Sequence, residues 1–353
     1  MFTKILRKIS ANYPRDLYLS NRASNHRATL ISDKTLEEGS TIPILEIVRA
    51  AKIPVEFDVI NNFDFSNPDH CETLRKNRCI LLDSNGVDNP TTDIPKIHKY
   101  LNLHTSCVKI FNPDHLKRDD IPAFEIISES IHSDPSTEEV EIAPRTFRSL
   151  THVNMEKMKK VARFAFQEEI NDQWNRMIVV YSSAATKLEV DTLIKAMEEL
   201  RGEYPMVEYS NLPIEDFMTK VASDYNSLKL IVTTSGDVKT VAKVRDILSP
   251  INAVGLNVSV GDEHILYNQK HLPRGLTMDN NSFDPTSLLV SLCCMLKNIQ
   301  LYQHSDLLLL ALKRVHKDRD WSSSQDENCT AADFMKSLHE ELTSLTLDHL
   351  HYE

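Results

Sequence analysis

Short apolar runs alternate with helical patterns along most of this chain. The runs ATLIS (28–32), RCILLD (78–83), MIVVYS (177–182) and LKLIVTT have the length and composition of buried strands. Between them, apolar residues recur every three or four positions, as in PILEIVRAAKI and NMEKMKKVARFAFQEEI, and this spacing predicts packed helices. The last quarter is helical, with the polar loop DRDWSSSQDEN before the final segment TAADFMKSLHEEL. The pattern predicts an α/β fold with a mixed, partly parallel sheet and a helical C-terminus.

One acidic, turn-rich stretch, SESIHSDPSTEEVEIAPRTF (128–147), interrupts the alternation. It predicts an insertion or a hairpin arm between two regular strand–helix units. Its glutamates invite comparison with a carboxylate metal site: Glu129, Glu138, Glu139 and Glu141. Acidic runs in loops are usually solvated, and we favour that interpretation here.

Composition limits the classes of function. With 353 residues and 41% hydrophobic content, the chain is long enough for two domains or one large α/β unit. The net charge of −11 argues against nucleic acid or an anionic membrane as partner, and no apolar run approaches the ~20 residues that span a bilayer. Only 7 glycines are present, without a GxGxxG or GxxxxGK[ST] motif, which argues against a phosphate-cradling loop. The 6 cysteines lack metal-ligand spacing, which indicates reduced thiols in a non-secretory compartment.

The N-terminus differs from the rest of the chain. Residues 1–26 contain five basic residues, Lys4, Arg7, Lys8, Arg15 and Arg22, against one acid, Asp16. An Arg-rich, acid-poor, amphipathic start is typical of a transit peptide, whereas the alternative is a basic disordered tail. We favour targeting to the mitochondrial matrix.

The stretch LIVTTSGDVKTVAKV (230–244) contains a strand-to-helix junction with a carboxylate, Asp237, at the start of the helix. Open α/β sheets usually hold their ligands at such junctions. The position four residues on, which shares a helix face, is Val241 and offers no oxygen. An acid in the first turn of a helix is favoured without any metal, and we prefer this interpretation to a remnant of a metal site.

Six blocks, in order, resemble the isocitrate/isopropylmalate dehydrogenase family. They are RATLISDKTLEEGSTIPILEIVRAAKIPVEFDVI, FEIISES with KKVARFAFQ, MIVVYSSAATKLEVDTLI, LKLIVTTSGDVKTVAKV, FDPTSLLVSLCCMLKNIQL and KDRDW…CTAADF. The similarity is to subunits of the mitochondrial NAD-dependent isocitrate dehydrogenase in particular, in a degenerate form, over nearly all of residues 27–340.

The resemblance implies a two-domain organisation. A large α/β domain takes residues 27–110 and 250–346, and a small domain takes 111–249, with a clasp-like arm around 128–147. Residues 1–26 are then a mitochondrial presequence and 347–353 a tail.

The family oxidises a 2-hydroxy acid with NAD and then decarboxylates it with the help of Mg²⁺ or Mn²⁺. Its catalytic positions are replaced here: an arginine by Ser128, the tyrosine of the arm by Pro135, and the lysine by Ser182. Further substrate arginines fall near Thr105 and near Pro95 or Lys96. Serine and threonine hydroxyls and a proline ring offer neither a planar cation for carboxylates nor a proton donor comparable to lysine or tyrosine.

The cofactor and metal positions are also changed. The cofactor-side residues fall on Ala184, His271, Leu272 and Asp284. The metal aspartates fall on Asp237, Val241 and, for the one that a partner subunit contributes, Pro213, while a small register slip would bring in Glu215 or Asp216. We therefore expect no cofactor and no metal in this chain. Lys270, His271 and Arg274 form a candidate anion contact, although an ordinary surface is the simpler interpretation.

The resemblance and the lost positions predict a regulatory-type, non-catalytic subunit. We expect it to form a homo- or heterodimer with an isocitrate dehydrogenase-type subunit and to act in isocitrate metabolism through that partner. One alternative is a scaffold with no ligand. Another is an active NAD-dependent isocitrate dehydrogenase with a rebuilt site.

Overall fold

A computed structural model describes most of the chain from His26 onward. The described residues are 26–32, 41–83, 93–111, 124–130, 137–151, 153–172, 177–182, 187–223, 229–238, 241, 254–270, 285–318 and 331–350.

Strands and helices alternate through this part of the chain as the apolar pattern predicts. The strands are β1 (His26–Ser32), β2 (Val55–Asn61), β3 (Cys79–Asp83), β4 (Leu103–Phe111), β5 (Phe124–Glu129), β6 (Thr137–Ala143), β7 (Thr146–Thr151), β8 (Met177–Tyr181), β9 (Tyr209–Pro213), β10 (Leu230–Thr233), β11 (Val254–Gly261) and β12 (Ile265–Lys270). The helices are α1 (Thr41–Ala50), α2 (Pro68–Lys76), α3 (Ile94–Tyr100), α4 (Met155–Asp172), α5 (Lys187–Leu200), α6 (Ile214–Ser223), α7 (Thr286–Asn298), α8 (Tyr302–Asp318) and α9 (Ala331–Leu350).

Ten of the strands form one mixed sheet in the order β2-β1-β3-β12-β11-β4-β5-β10-β8-β9. Two parallel blocks, β2-β1-β3-β12 and β5-β10-β8-β9, flank the central strands β11 and β4. These two central strands are antiparallel to each other and to the strands beside them. The predicted α/β fold with a mixed, partly parallel sheet and a helical C-terminus is confirmed, whereas the division into two domains stays a prediction.

Helices cover both faces of the sheet. Leu230 and Val232 face the larger layer, to which α1, α4, α5, α7, α8 and α9 contribute, and the alternate residue Ile231 faces α6. The helices α2 and α3 cover the outer face of the other block. Strands buried on both faces are near-continuous apolar runs, which is why these strands are visible in the sequence.

Regular structure extends across two of the predicted boundaries. The interruption predicted at 128–147 contains a hairpin whose strands run from Thr137 to Thr151, because the β pattern continues after a turn at Arg145, where φ is 63°. The C-terminal helix α9 continues to Leu350 and therefore crosses the predicted start of a tail at residue 347. No helix in the described residues is long and apolar enough to cross a bilayer.

Gly261, at the end of β11, allows a close approach of two backbone segments. A Cβ there would lie 2.9 Å from the carbonyl oxygen of Asn102 and 3.1 Å from that of Leu101. Gly261→Ala should therefore lower the free energy of unfolding by about 1–3 kcal/mol, since the backbone must shift to accept a methyl group. The control is Gly202→Ala, where a Cβ would meet nothing within 4 Å and the change should stay within about 0.5 kcal/mol. Equal effects of the two substitutions in urea unfolding would contradict this account.

Candidate functional site

Ser128, Ser182 and Asp237, three of the residues at family site positions, lie at the carboxyl ends of neighbouring strands, which we call the sheet edge. Ser128 belongs to the end of β5, Ser182 follows β8, and the turn containing Asp237 follows β10. The strands are in register there, with Thr233 opposite both Ser128 and Val180. Carboxyl ends of neighbouring parallel strands are where open α/β sheets hold their ligands, so this edge is the candidate site.

The Asp237 carboxylate is buried and hydrogen-bonded within the protein. Asp237 is only 4% exposed, and its Oδ2 accepts hydrogen bonds from the Ser182 backbone N–H at 2.8 Å and from the Thr234 hydroxyl at 3.1 Å. The Asp237 N–H donates to the Thr234 carbonyl at 3.2 Å, and the Val241 N–H donates to the Asp237 carbonyl at 3.0 Å. The carboxylate thus joins the end of β8 to the turn after β10. The interpretation of Asp237 as a helix-start residue stays a prediction, because the donors to its carboxylate are Ser182 and Thr234.

The surroundings of Asp237 do not supply a set of metal ligands. Val241 is 1% exposed and packs in an apolar cluster with residues of α6 and the neighbouring strands. Glu189 approaches the same turn, since a Cβ at Gly236 would lie 3.6 Å from its Oε2. No group of three or more His, Cys, Asp or Glu side chains that could hold a metal occurs in the part of the chain that the structure describes. Hard divalent ions need several oxygen ligands, so the Asp237 carboxylate, already engaged by two donors, does not fit one.

Hydroxyl groups occupy two of the substrate-arginine positions, and both are buried. Ser128 is 1% exposed, and its Oγ donates to the Glu129 carbonyl at 3.1 Å. Thr105 is 0% exposed, and its Oγ1 lies 2.8 Å from His104 Nδ1. A buried hydroxyl with an internal partner provides no cation for a substrate carboxylate.

A buried histidine next to this edge was not anticipated from the sequence. His104 Nε2 lies 3.4 Å from Asp262 Oδ1, within ion-pair distance but without hydrogen-bond geometry. Lys160, on α4, binds the same carboxylate at 2.6 Å. Burial, reinforced by the positive charge of Lys160, lowers the pKa of His104 to about 4, so the ring is neutral at ordinary pH. No sequence motif links these residues, which come together only when β11 pairs with β4.

Pro213 and Lys96 were also singled out from the sequence. Pro213 ends β9, opposite Tyr181, and Glu215 and Asp216 are exposed in the first turn of α6. Lys96 is exposed and pairs with Asp93 at 2.7 Å. Lys270 ends β12, but its side chain lies outside the described residues. Five more predicted site residues lie outside them entirely: Pro135, Ala184, His271, Leu272 and Asp284, as does the predicted anion contact Arg274.

Sequence comparison finds relatives that span most of the chain. No protein-family model matches. The mitochondrial NAD isocitrate dehydrogenase regulatory subunit 1 of Arabidopsis thaliana is 22% identical over 300 residues, or 81% of this chain and 81% of that protein. The corresponding mitochondrial subunit 1 of Schizosaccharomyces pombe is 21% identical over 362 residues, or 98% and 100% of the two chains.

Solved structures of dehydrogenases superpose on most of this chain. Isocitrate dehydrogenase from Methylococcus capsulatus superposes with a TM-score of 0.70 at 15% identity, covering 90% of this chain and 99% of that one. A β-decarboxylating dehydrogenase from Thermococcus kodakarensis also gives 0.70 at 15% identity, covering 92% and 98%.

The fold is therefore that of the isocitrate/isopropylmalate dehydrogenases. Within this class, the sequence resembles subunits of the mitochondrial NAD-dependent isocitrate dehydrogenase, regulatory subunits among them, and the resemblance predicted from the sequence blocks is confirmed. The relatives are named as mitochondrial, in agreement with the predicted mitochondrial location, which is confirmed. The presequence itself stays a prediction, because residues 1–25 lie outside the described part.

Replacing Asp237 with Ala should destabilise the fold by about 1–3 kcal/mol, because it removes the acceptor of the buried Thr234 hydroxyl and of the partly buried Ser182 N–H. The control is Asp191→Ala, which removes an exposed carboxylate on α5 and should change stability by less than about 0.5 kcal/mol. Urea unfolding of the two variants checks the prediction. A stability for Asp237→Ala equal to that of the control would show that the carboxylate has no structural role.

Proposed function

We propose that this chain is a non-catalytic, regulatory-type subunit in mitochondrial NAD-dependent isocitrate metabolism. The relatives named as regulatory subunits of NAD isocitrate dehydrogenase support this role. The observation that carries the proposal is the identity of the side chains at the sheet edge. Serines stand at the family's arginine and lysine positions, and the retained Asp237 binds the Ser182 backbone.

The described side chains at the sheet edge differ from those that bind the substrate carboxylates and transfer the proton in the family's reaction. Ser128 and Thr105 are uncharged and buried, so they do not clamp a carboxylate. A serine hydroxyl at position 182 is a far weaker acid than a lysine ammonium for delivering a proton to an enolate. Bound NAD would supply hydride transfer and a divalent ion would polarise the substrate. Of the positions that the resemblance assigns to the metal, Val241 offers no oxygen, and the Asp237 carboxylate already accepts hydrogen bonds from Ser182 and Thr234. The chain therefore acts through a catalytic partner.

Contact with the catalytic subunit would let this chain influence metal binding in that subunit. Asp216 is exposed at the start of α6, next to Pro213, where the family's partner-donated aspartate falls. It is better placed to reach a neighbouring subunit than the buried Asp237. We expect Asp216→Asn to weaken the apparent Mn²⁺ affinity of a mixed complex, with Asp237→Asn leaving it unchanged. A weaker Mn²⁺ affinity for Asp237→Asn alone would instead make Asp237 the shared ligand.

The test is the rate of NADH formation from isocitrate by a catalytic subunit of the same organism, with and without this chain. We expect a change in maximal rate or in apparent isocitrate affinity that saturates at one chain per catalytic subunit. A catalytic subunit that responds identically to this chain and to serum albumin would overturn the proposal.

The second candidate function is a scaffold without a ligand. The internal hydrogen bonds of Ser128, Thr234 and Asp237 at the sheet edge favour it, since these groups are already paired within the protein. Stable association with a catalytic subunit, without any kinetic change, would select the scaffold.

A further inference from the structure

Four small hydroxyl side chains lie side by side across the middle of the ten-stranded sheet. The register places Ser259 of β11 opposite Ser106 of β4, and Ser106 opposite Ser128 of β5. Ser128 in turn lies opposite Thr233 of β10. Side chains at matched positions of neighbouring strands point to the same face of a sheet. The four residues therefore form one line on one face, which we call the hydroxyl row.

The hydroxyl row separates two apolar clusters on its face of the sheet. At one end, Ser259 lies opposite Leu266 of β12, which belongs to the cluster under α2 and α3. At the other end, Thr233 lies opposite Val180 of β8, which belongs to the cluster under α6. Both clusters consist mainly of Leu, Ile, Val and Phe. Small side chains between two groups of large ones leave volume that close packing has to fill.

Two of the four hydroxyls are buried without a hydrogen-bond partner among the described residues. Thr233 and Ser259 are each 1% exposed, and the unpartnered atoms are Thr233 Oγ1 and Ser259 Oγ. Each has a bonded neighbour in the row. Ser128 donates to a backbone carbonyl at 3.1 Å and Ser106 to a side-chain amide oxygen at 3.0 Å, so both can still accept. A buried hydroxyl without any partner costs stability, and buried polar groups in proteins are almost always bonded.

We propose that the hydroxyl row binds two internal water molecules. One accepts a hydrogen bond from the Thr233 hydroxyl and donates to Ser128 Oγ, and the other accepts from the Ser259 hydroxyl and donates to Ser106 Oγ. Each water then has two protein partners, which is within the usual range for buried water. No member of the row carries a charge, which favours water over an ion. This inference does not depend on the proposed function.

The family resemblance gives a reason for water at this place. The resemblance puts an arginine at the position of Ser128, and a serine side chain is far smaller. Water can occupy part of the volume that the longer side chain would take, provided that it finds polar partners, and the row supplies them.

A high-resolution crystal structure tests the two water positions directly. We expect density for one water at about 2.5–3.0 Å from Thr233 Oγ1 and for a second at the same distance from Ser259 Oγ. The inference is overturned if both hydroxyls bond directly to protein groups, if both contact only carbon atoms, or if the density belongs to a larger molecule.

The sign of a stability change gives a second test. Thr233→Val keeps the shape of the side chain and removes the hydroxyl. If water bonds this hydroxyl, the midpoint of urea unfolding should fall, whereas removal of an unbonded hydroxyl should raise it. The control is Thr29→Val, because Thr29 is 0% exposed in the same sheet and its hydroxyl accepts from Asn77 Nδ2 at 3.0 Å. We expect a fall for both variants and for Ser259→Ala, and a rise for Thr233→Val or Ser259→Ala would overturn the water at that position.

The number of waters can also be counted in solution. Oxygen-17 relaxation dispersion of the water signal reports internal waters that exchange slowly. The double variant Thr233→Val, Ser259→Ala should contain two fewer such waters than the wild-type chain, and Thr29→Val should contain the wild-type number. An equal count in the wild-type chain and the double variant would overturn the inference.

Discussion

Replacing Lys109 with Met is expected to lower the free energy of unfolding by about 3–5 kcal/mol. The Lys109 ammonium on β4 lies 2.7 Å from Glu125 Oε1 and also contacts the Glu168 carboxylate on α4. The side chains of Glu125 and Glu168 are 0% and 7% exposed. Removing the cation leaves two carboxylates in a medium that solvates them poorly, and breaking a buried pair on one side costs more than the pair contributes.

A surface ion pair of the same length provides the matched control. Arg314 donates to Glu341 Oε1 at 2.7 Å, but its side chain is 49% exposed. Arg314→Met should cost less than about 1 kcal/mol, because water solvates both charges when the pair is lost. The two variants are compared by their midpoints of guanidinium unfolding, with equal slopes of the free energy of unfolding against denaturant concentration. Adding Glu125→Gln to Lys109→Met should recover part of the loss, and equal losses for Lys109→Met and Arg314→Met would contradict the account.

The second large effect is a loss of stability in acid that depends on His104. Its pKa is lowered from the unfolded value of 6.5 to about 4 by burial and then by the charge of Lys160. Between these two values the unfolded chain binds a proton that the folded chain does not, so stability falls as the pH falls through this window. The ring is faced by Lys157 and Lys160 on α4, by Asp262 after β11 and by the Thr105 hydroxyl.

The expected loss is about 2 kcal/mol between about pH 8 and pH 5, measured from urea unfolding at each pH. Carboxylates elsewhere also titrate, so the contribution of His104 is the difference between the wild-type chain and His104→Gln, which should depend less on pH. The control His339→Gln removes an exposed imidazole and should keep the wild-type dependence. Parallel curves for the wild-type chain and His104→Gln would contradict this prediction.

The sequence predicts the strands buried on both faces and misses those with mixed composition. The run LKLIVTT predicts β10 because every residue from Leu230 to Val232 packs against a helical layer. In contrast, β9 (YSNLP) is a polar edge strand, and β11 (VGLNVSVG) alternates apolar residues with Gly, Asn and Ser. The alternation in β11 is a period-two signal that identifies a strand once it is looked for.

At the candidate site, the sequence predicts residue types but not their contacts. The helix-start interpretation of Asp237 follows from its position after a strand and stays a prediction, since the carboxylate accepts from the Thr234 hydroxyl. The partner of its carboxylate, the Ser182 N–H, depends on the register between β8 and β10, which no local pattern specifies. Lys109 illustrates the same limit. A lysine inside SCVKIF suggests a solvent-facing position, yet α4 covers that side and supplies Glu168.

The central claim is that this chain keeps a dehydrogenase fold without turnover of its own. The most direct measurement is NADH formation by the purified chain alone, with isocitrate, NAD and Mn²⁺ at saturating concentrations and a catalytic subunit as positive control. We predict no formation of NADH above the enzyme-free rate. Isocitrate-dependent NADH formation that rises in proportion to the concentration of this chain would contradict the account and would establish a rebuilt active site.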